Sequence, residues 1–163
     1  MPPLIIDLHT HCAARDALLH LNNANARATS LLTREKLERM IGCARIAICI
    51  EPAAAFLLAF DQGDDYDGTH FQWFRDRFDR FLYIDRVVVG QHFRRSGLGK
   101  LLYADLFKRA EHLGHTRLVC EVNALPANPA SEAFHAALGF EPVGIATMHG
   151  GTKTVRYLLN ERA

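Results

Sequence analysis

Apolar runs of strand length recur along the chain, bounded by turn-forming residues. These runs predict strands at Pro2–Leu8, Arg45–Ile50, Ala53–Phe60, Phe81–Val89, Arg117–Val122, Phe140–Ala146 and Thr152–Leu159. Glu51-Pro52 separates the second strand from the third, and His149-Gly150-Gly151 separates the last two. Each of these two pairs is therefore expected to form an antiparallel hairpin.

Between the strands, apolar residues recur at the spacing of an amphipathic helix. This spacing predicts helices at Asp16–Asn25, Arg34–Ile41, Phe71–Phe78, Leu98–Leu113 and Ala130–Leu138. In the fourth of these helices, Leu101, Leu102 and Leu106 are expected to form the buried stripe. The order of elements, β-α-α-β-β-α-β-α-β-α-β-β, predicts a mixed α/β sheet with helices on both faces.

Composition narrows the class of protein. At 163 residues and 49% hydrophobic content, the chain is expected to form a single domain over residues 1–163. Lys and Arg number 19 against 18 Asp and Glu, which argues against nucleic-acid binding driven by bulk charge. No apolar run is long enough to cross a membrane. Four scattered cysteines without a C-x-x-C, and no signal-peptide pattern, predict reduced thiols and a cytoplasmic location.

A short basic loop connects the strand Phe81–Val89 to the helix that follows. It holds three cations and two glycines, which are Arg94, Arg95, Gly97, Gly99 and Lys100. The free N–H groups of a helix's first turn carry partial positive charge, and glycines let a ligand approach them closely. The loop therefore predicts a site for phosphate or pyrophosphate.

Two common nucleotide-binding loops do not fit this sequence. A Walker A loop needs a glycine where Arg94 stands and a Ser or Thr where Leu101 stands. A dinucleotide-binding fingerprint needs a third glycine at the position of Leu102. A plain turn is also a poor explanation, because it has no need of three flanking cations.

The loop resembles the pyrophosphate loop of the GNAT superfamily of acyl-CoA-dependent N-acetyltransferases. That loop has Gln or Arg, then Gly after two residues, then Gly or Ala, which corresponds here to Arg94, Gly97 and Gly99. The family usually has Val at the end of the preceding strand, and this chain has Val89. The resemblance covers Phe81–Glu161 well and the earlier residues only through the order of elements.

A second motif, about thirty residues downstream of the loop, also resembles the family. Asn128 and Gly139-Phe140 match the pattern that follows the family's fifth strand. His135 stands where the family often has the tyrosine that protonates the departing CoA thiolate. A histidine can serve as the acid near neutral pH, but a CoA contact, with water supplying the proton, is also open.

The resemblance implies a GNAT-like, mainly antiparallel sheet in which the fourth and fifth strands splay apart. The pantetheine arm of CoA would lie in that gap, against strand backbone that also polarises the thioester carbonyl. Acetyl-CoA would be the acyl donor, and an amine would attack it directly in a ternary complex without a metal. The implied CoA-binding residues are Val87, Val88, Val89, Arg94, Arg95, Ser96, Gly97, Leu98, Gly99, Lys100 and Asn128.

The general base is expected to be a carboxylate, because an amine must be neutral to attack a thioester. Glu121 on the fifth strand is slightly preferred, since N-terminal acetyltransferases of this superfamily have a comparable Glu-Val. Asp85 on the fourth strand is the rival, although a salt bridge with the adjacent Arg86 is its alternative role. Regular alternation is expected to place Asp85 on the same strand face as Tyr83, Val87 and Val89.

The acceptor and the oligomeric state are left open, with a homodimer as one option. Acidic and aromatic residues within Asp61–Arg80 suit a small cationic or aromatic amine, or a peptide N-terminus. One alternative function is an acyl-CoA sensor that has the GNAT fold and no turnover. Another is a metal-dependent hydrolase, because Asp7, His9 and His11 resemble the first metal-ligating strand of amidohydrolase barrels. The chain is too short for such a barrel, which typically needs about 250 residues.

Overall fold

The computed structural model describes residues 3–11, 15–26 and 29–162. Its strands are β1 (Ile5–Asp7), β2 (Ile46–Ile50), β3 (Ala55–Asp61), β4 (Leu82–Val89), β5 (Arg117–Leu125), β6 (Glu141–Met148) and β7 (Lys153–Glu161). Its helices are α1 (Arg15–Ala24), α2 (Arg34–Cys43), α3 (Thr69–Arg75), α4 (Leu98–His112) and α5 (Pro129–Ala137). Two predictions fall partly outside the described residues, because they involve Pro2 and Cys12. Cys43, Cys49 and Cys120 are free thiols.

The strands form one seven-stranded sheet in the order β1-β2-β3-β4-β5-β7-β6. All neighbouring pairs are antiparallel except β4 and β5, which are parallel. The hairpins β2–β3 and β6–β7 both form. The predicted element order, the mixed but mainly antiparallel sheet and the two hairpins are therefore confirmed.

The sheet is covered on both faces, as predicted. Helices α1, α2 and α3 pack on one face around Leu18, Leu37 and Phe71. Helix α4 covers the other face with Leu102 and Leu106, and α5 contributes partly buried side chains to the same layer. Every residue of β2 is buried, and its side chains alternate between the two layers.

The buried stripe of α4 differs from the predicted one. Leu101 is 40% exposed, whereas Leu102 and Leu106 are fully buried. The stripe runs instead through Leu98, Leu102, Tyr103, Leu106 and Ala110. Leu101 and Tyr103 lie on opposite sides of Leu102 around the helix, and the tyrosine faces the sheet. This orientation of α4 places Tyr103 beneath the gap between β4 and β5.

Strand β4 also departs from the predicted alternation. A β-bulge interrupts its pairing with β3, because Leu58 pairs with Arg86 while Ala59 pairs with Ile84. Asp85 is the extra residue, so the side chains beyond it change faces. Arg86 therefore shares the layer of Tyr83, and Val87 lies on the α4 side, contrary to the regular alternation expected from the sequence.

Candidate active site

Strands β4 and β5 separate soon after they pair. Their register contains only Leu82 with Leu118 and Tyr83 with Val119. Beyond that point two cavities open. The first, of about 730 Å³, is bounded by the basic loop and is called here the loop cavity. The second, of about 550 Å³, is bounded by α3, β5 and β7 and is called the strand cavity. Residues common to both linings are Thr29, Val87, Tyr103, Asn128, Ser131 and His135, so the cavities meet there.

The sequence-predicted CoA-binding residues gather at the loop cavity. All eleven except Ser96 contribute to its lining. The Ser96 hydroxyl instead donates a hydrogen bond to the carbonyl of Phe93 within the turn. Sequence reasoning missed Asn25 and Phe93, which line the same cavity, because neither belongs to a motif.

The basic loop presents unpaired backbone donors beside several cations. Gly97 caps α4 with a φ of +86°, and a Cβ there would touch nothing within 4 Å. Glycine is therefore needed for its left-handed backbone rather than for space. The first helical bond runs from Leu101 N to Gly97 O, which leaves the preceding N–H groups free for a ligand. Arg94 donates to Asn25 Oδ1 at 2.5 Å, which ties the loop to the end of α1.

The edge of β4 supplies further donors and acceptors to the gap. Gly90 N donates to Ala54 O at 2.8 Å, across the register pair of Ala55 and Val89. In an antiparallel ladder this geometry turns the backbone groups of Val89 away from β3. Because the pattern alternates, Val87 and Val89 face the gap, whereas the backbone of Val88 is directed toward β3.

Asn128 lies where the two cavities meet. Its side-chain oxygen accepts from Ser131 N at 3.3 Å and so caps α5. The other half of the side chain, an amide NH₂, is left to donate to a ligand. The cap explains why this asparagine precedes Pro129, which occupies the first helical turn.

Glu121 projects from β5 into the strand cavity. Tyr83 donates its hydroxyl proton to Glu121 Oε1 at 2.7 Å. Burial raises the pKa of this carboxyl to about 8, with a further upward contribution from the charge of Asp85. A carboxyl with a pKa near neutrality is suited to accept a proton from an attacking amine.

Asp85 also lines the strand cavity, but both of its oxygens are occupied. Arg86 Nε donates to Oδ2 at 2.6 Å, and the hydroxyl of Tyr66 donates to Oδ1. Arg86 is itself buried and donates to Asn22 Oδ1 at 2.9 Å. The arrangement matches the salt bridge that the sequence left open for Asp85, and it connects the bulge of β4 to α1.

Replacing Asp85 by asparagine should destabilise the fold strongly, because it leaves the guanidinium of Arg86 buried without its counter-charge. We expect the free energy of unfolding to fall by about 3–5 kcal/mol in urea denaturation at pH 7. Glu121→Gln is the matched control, since a carboxyl with a pKa of about 8 is mostly neutral at that pH. Equal stability of the two variants would contradict the structural role of Asp85.

His135 is buried at the junction of the cavities and both of its ring nitrogens have partners. Its Nδ1 lies 2.8 Å from the carbonyl oxygen of Ser131, which can only accept, so Nδ1 carries a proton. In the neutral ring Nε2 is then the acceptor for the hydroxyl of Tyr103, at 2.6 Å. Burial lowers the pKa of His135, which favours this neutral form.

Tyr103 is a functional candidate that sequence reasoning missed. It lines both cavities, and its hydroxyl reaches the nitrogen of His135 from the opposite helix. Burial raises the pKa of this hydroxyl well above its usual value, so it keeps its proton over the working pH range. The apolar pattern placed Leu101 in the buried stripe of α4, where the structure has Tyr103. Only the correct orientation of this helix could have pointed to the tyrosine.

The acidic residues predicted to attract a cationic acceptor lie elsewhere. None of Asp61, Asp64, Asp65 and Asp67 lines the strand cavity. Asp61 pairs with His115 at 2.7 Å, and Asp64 pairs with Arg45 at 2.7 Å. The segment contributes Tyr66, Gly68, Thr69 and His70 to the cavity instead. These carboxylates are used in ion pairs or lie outside the lining of the strand cavity, so none of the four is placed to attract an amine there.

The N-terminal histidines do not converge. His9 Nε2 lies 2.9 Å from the carbonyl of Ile41, and His11 Nδ1 lies 3.0 Å from the hydroxyl of Thr10. Asp7 contacts Arg109 at 3.5 Å. Within residues 3–11, 15–26 and 29–162, no three His, Cys, Asp or Glu side chains are arranged to hold a metal ion.

Comparisons with known proteins agree with this geometry. A family model described as the acetyltransferase (GNAT) family matches residues 7–140. The ribosomal-protein-S18-alanine N-acetyltransferase of Escherichia coli superposes with a TM-score of 0.71 at 18% identity, over 99% of this chain and 94% of that one. The NatC complex bound to Gag peptide and CoA gives 0.77 at 10% identity, over 100% of both chains.

A third solved structure, an aminoglycoside 6'-N-acetyltransferase complexed with coenzyme A, gives a TM-score of 0.71 at 15% identity. It covers 97% of this chain and 96% of its own. At these identities the three structures establish the fold alone. None of the curated protein sequences compared with the chain matches it significantly. In the part of the chain that the structure describes, no helix has the length and apolar content that a membrane crossing requires.

Proposed function

The chain belongs to the acetyltransferase (GNAT) family, and from that premise we propose that it is an acetyl-CoA-dependent N-acetyltransferase. One observation carries the proposal. The loop cavity, with its cationic rim, meets the strand cavity that holds Glu121, in the gap between β4 and β5. A donor with a pyrophosphate at one end and a thioester at the other fits such a path, and an amine can approach from the strand cavity.

The pyrophosphate of acetyl-CoA would bind the free N–H groups at the start of α4, with Arg94, Arg95 and Lys100 around it. The pantetheine arm would follow the gap-facing backbone of Val87 and Val89. These fixed donors would also stabilise the negative charge that develops on the thioester oxygen.

Glu121 is proposed as the general base. The amine nitrogen bonds to the acetyl carbon while its proton passes to the Glu121 carboxylate, directly or through a water. The tetrahedral intermediate then collapses, the C–S bond breaks, and the sulfur leaves as a thiolate. Asp85 is a poorer base because Arg86 and Tyr66 already occupy its oxygens.

We assign the proton for the departing sulfur to the His135–Tyr103 pair. Neutral His135 offers Nε2 only as an acceptor, so the mobile proton of the pair is on the Tyr103 hydroxyl. The Tyr103 hydroxyl leaves Nε2 of His135 and turns to the sulfur, and its O–H bond breaks as the S–H bond forms. The proton that Glu121 took from the amine passes through water to the Tyr103 oxygen after the products leave. His135 is then a positioning residue that holds this hydroxyl at the junction.

A CoA sensor without turnover is the second candidate, and the occupied nitrogens of His135 favour it. Release of free CoA from acetyl-CoA, measured across a panel of amines, separates the two. Turnover with any amine excludes a pure sensor. The acceptor of the enzyme is proposed to be a small-molecule or peptide amine. A cytoplasmic location and a homodimer remain predictions.

A negative charge at Gly97 should weaken donor binding. Gly97→Asp and Gly97→Asn both tolerate the left-handed backbone and are nearly isosteric, so they differ in charge alone. We expect Gly97→Asp to weaken CoA binding by at least about 10-fold in calorimetry, because the new carboxylate repels the phosphate. Loss of one hydrogen bond from the loop N–H groups to the charged phosphate would by itself cost about 1.5–3 kcal/mol. Gly97→Asn should bind nearly as tightly as the parent.

Equal binding by all three proteins would show that the phosphates lie elsewhere. Absence of CoA and acetyl-CoA binding by the parent chain at millimolar concentration would contradict the proposed function altogether.

A further inference from the structure

Among the described residues, the strand cavity contains one ammonium, that of Lys153, which forms no ion pair with the carboxylates of its lining. Asp85 and Arg86 cancel each other through their ion pair. Glu121, with a pKa of about 8, is mostly uncharged at pH 7. His70 is held neutral, because burial lowers its pKa. Of the other lining side chains, Lys153 carries an ammonium and His149 an imidazole.

Lys153 has no counter-ion of its own in the described part of the chain. Among residues 3–11, 15–26 and 29–162, no carboxylate lies within ion-pair distance of it, whereas Arg86, the other Lys or Arg of the described lining, is paired with Asp85. Its charge reaches both Glu121 and His70, since it lowers the pKa of each. Because Lys153 is half-buried and lines the strand cavity, its ammonium acts within the cavity rather than on the outer surface.

The position of Lys153 on β7 sets its distance from the base. Glu121 pairs in register with Tyr157, and Val155 packs in the same layer as Tyr157. Lys153 continues this alternation at the start of the strand, so its side chain lies on the same face. Four residues of strand separate its backbone from that of Tyr157, or about 13 Å. The flexible stem of the lysine can shorten that separation but not close it.

We propose that the acceptor is an amine that carries an anionic group, a carboxylate or phosphate several bonds from its nitrogen, and that Lys153 binds this group. The inference rests on the proposed function. The acceptor's nitrogen lies at Glu121 while its anion lies at the mouth of the cavity formed by β7. An α-carboxylate next to the amine is too close to reach Lys153 from that position. Two kinds of acceptor have an amine and a distant anion in this arrangement: a peptide with an acidic side chain near its N-terminus, and a small ω-amino acid.

Matched acceptors test the proposal and distinguish its two sources. The first pair consists of tetrapeptides that differ only by glutamate or glutamine at the second position. The second pair is ε-aminocaproate and its amide. We expect the parent enzyme to prefer the anionic member of at least one pair by about 10-fold or more in kcat/KM, as one hydrogen bond to a charged group allows. The pair that shows the preference identifies the source.

Substitutions at Lys153 should change this ratio. Lys153→Met removes the preference and Lys153→Glu reverses it, whereas Lys36→Met, on the exposed face of α2, leaves it intact. Loss of Lys153 also raises the pKa of Glu121, but that change affects both members of a pair alike and cancels in the ratio. Equal kcat/KM values within both pairs would overturn the inference while leaving the acetyltransferase function in place.

Calorimetry on the CoA-bound protein gives a readout that needs no turnover. Tighter binding of the anionic member that is lost in Lys153→Met would support the inference even if no acetyl transfer were seen. In that case only the proposed function would be contradicted. Failure of all four probes to bind would overturn the inference.

Discussion

Glu121→Gln should lower kcat by about 10²–10⁴-fold, which is the usual contribution of a positioned general base. Glutamine keeps the shape of the neutral acid and can still accept from Tyr83 through its carbonyl oxygen, but it cannot take a proton. Acetyl-CoA binding should not change, because Glu121 lines the strand cavity and not the loop cavity. Single-turnover acetyl transfer and CoA calorimetry on the same preparation separate the two effects. A variant with parental kcat would remove Glu121 from the mechanism.

The pH profile gives the same residue a second signature. The carboxyl must be ionised to act as a base, so kcat/KM should rise with pH and level off above about 8. Rates should be expressed against the concentration of neutral amine, since the acceptor also loses a proton in this range. Tyr83→Phe should move the limb to higher pH, because the hydrogen bond from Tyr83 lowers the pKa of Glu121. In Glu121→Gln, the rise of kcat/KM with pH that comes from ionisation of this carboxyl should disappear.

The order of strands and helices could be predicted because its signals are local, whereas the splayed fourth and fifth strands were implied by the family resemblance. Apolar spacing marked each strand and helix, and the loop around Gly97 required a left-handed glycine before a helix, which a motif can encode. The same holds for Asn128, whose side chain caps the helix that it precedes. These features depend on neighbours along the chain, so a single sequence contains them.

The site depended on contacts that no local pattern records. The bulge at Asp85 is a property of its pairing with β3, and it moves Arg86 into the layer where Asn22 can bind it. Tyr103 reaches His135 only because α4 and α5 meet beneath the splayed strands. The acidic residues within Asp61–Arg80 likewise suited a cationic acceptor, whereas in the structure Asp64 pairs with Arg45, Asp61 pairs with His115, and a lysine lines the cavity.

Tyr103→Phe should lower kcat by about 10²-fold or more while leaving the Kd for CoA unchanged, because it removes the proton meant for the departing sulfur. Some loss of stability is expected as well, about 1–3 kcal/mol, since Nε2 of His135 is left buried without a donor. A lower melting temperature therefore does not distinguish catalysis from packing. A readout specific to the leaving group is needed.

The acetyl selenoester of CoA provides that readout. A selenol is a stronger acid than a thiol, so it departs without needing a proton. Tyr103→Phe should regain most of its rate with the selenoester, whereas Glu121→Gln, which is impaired in attack, should not. If His135 only positions the hydroxyl, the double variant Tyr103→Phe/His135→Phe should be no slower than Tyr103→Phe alone. An equal deficit of Tyr103→Phe with both donors would mean that Tyr103 serves the packing of α4 and takes no part in the proton transfer.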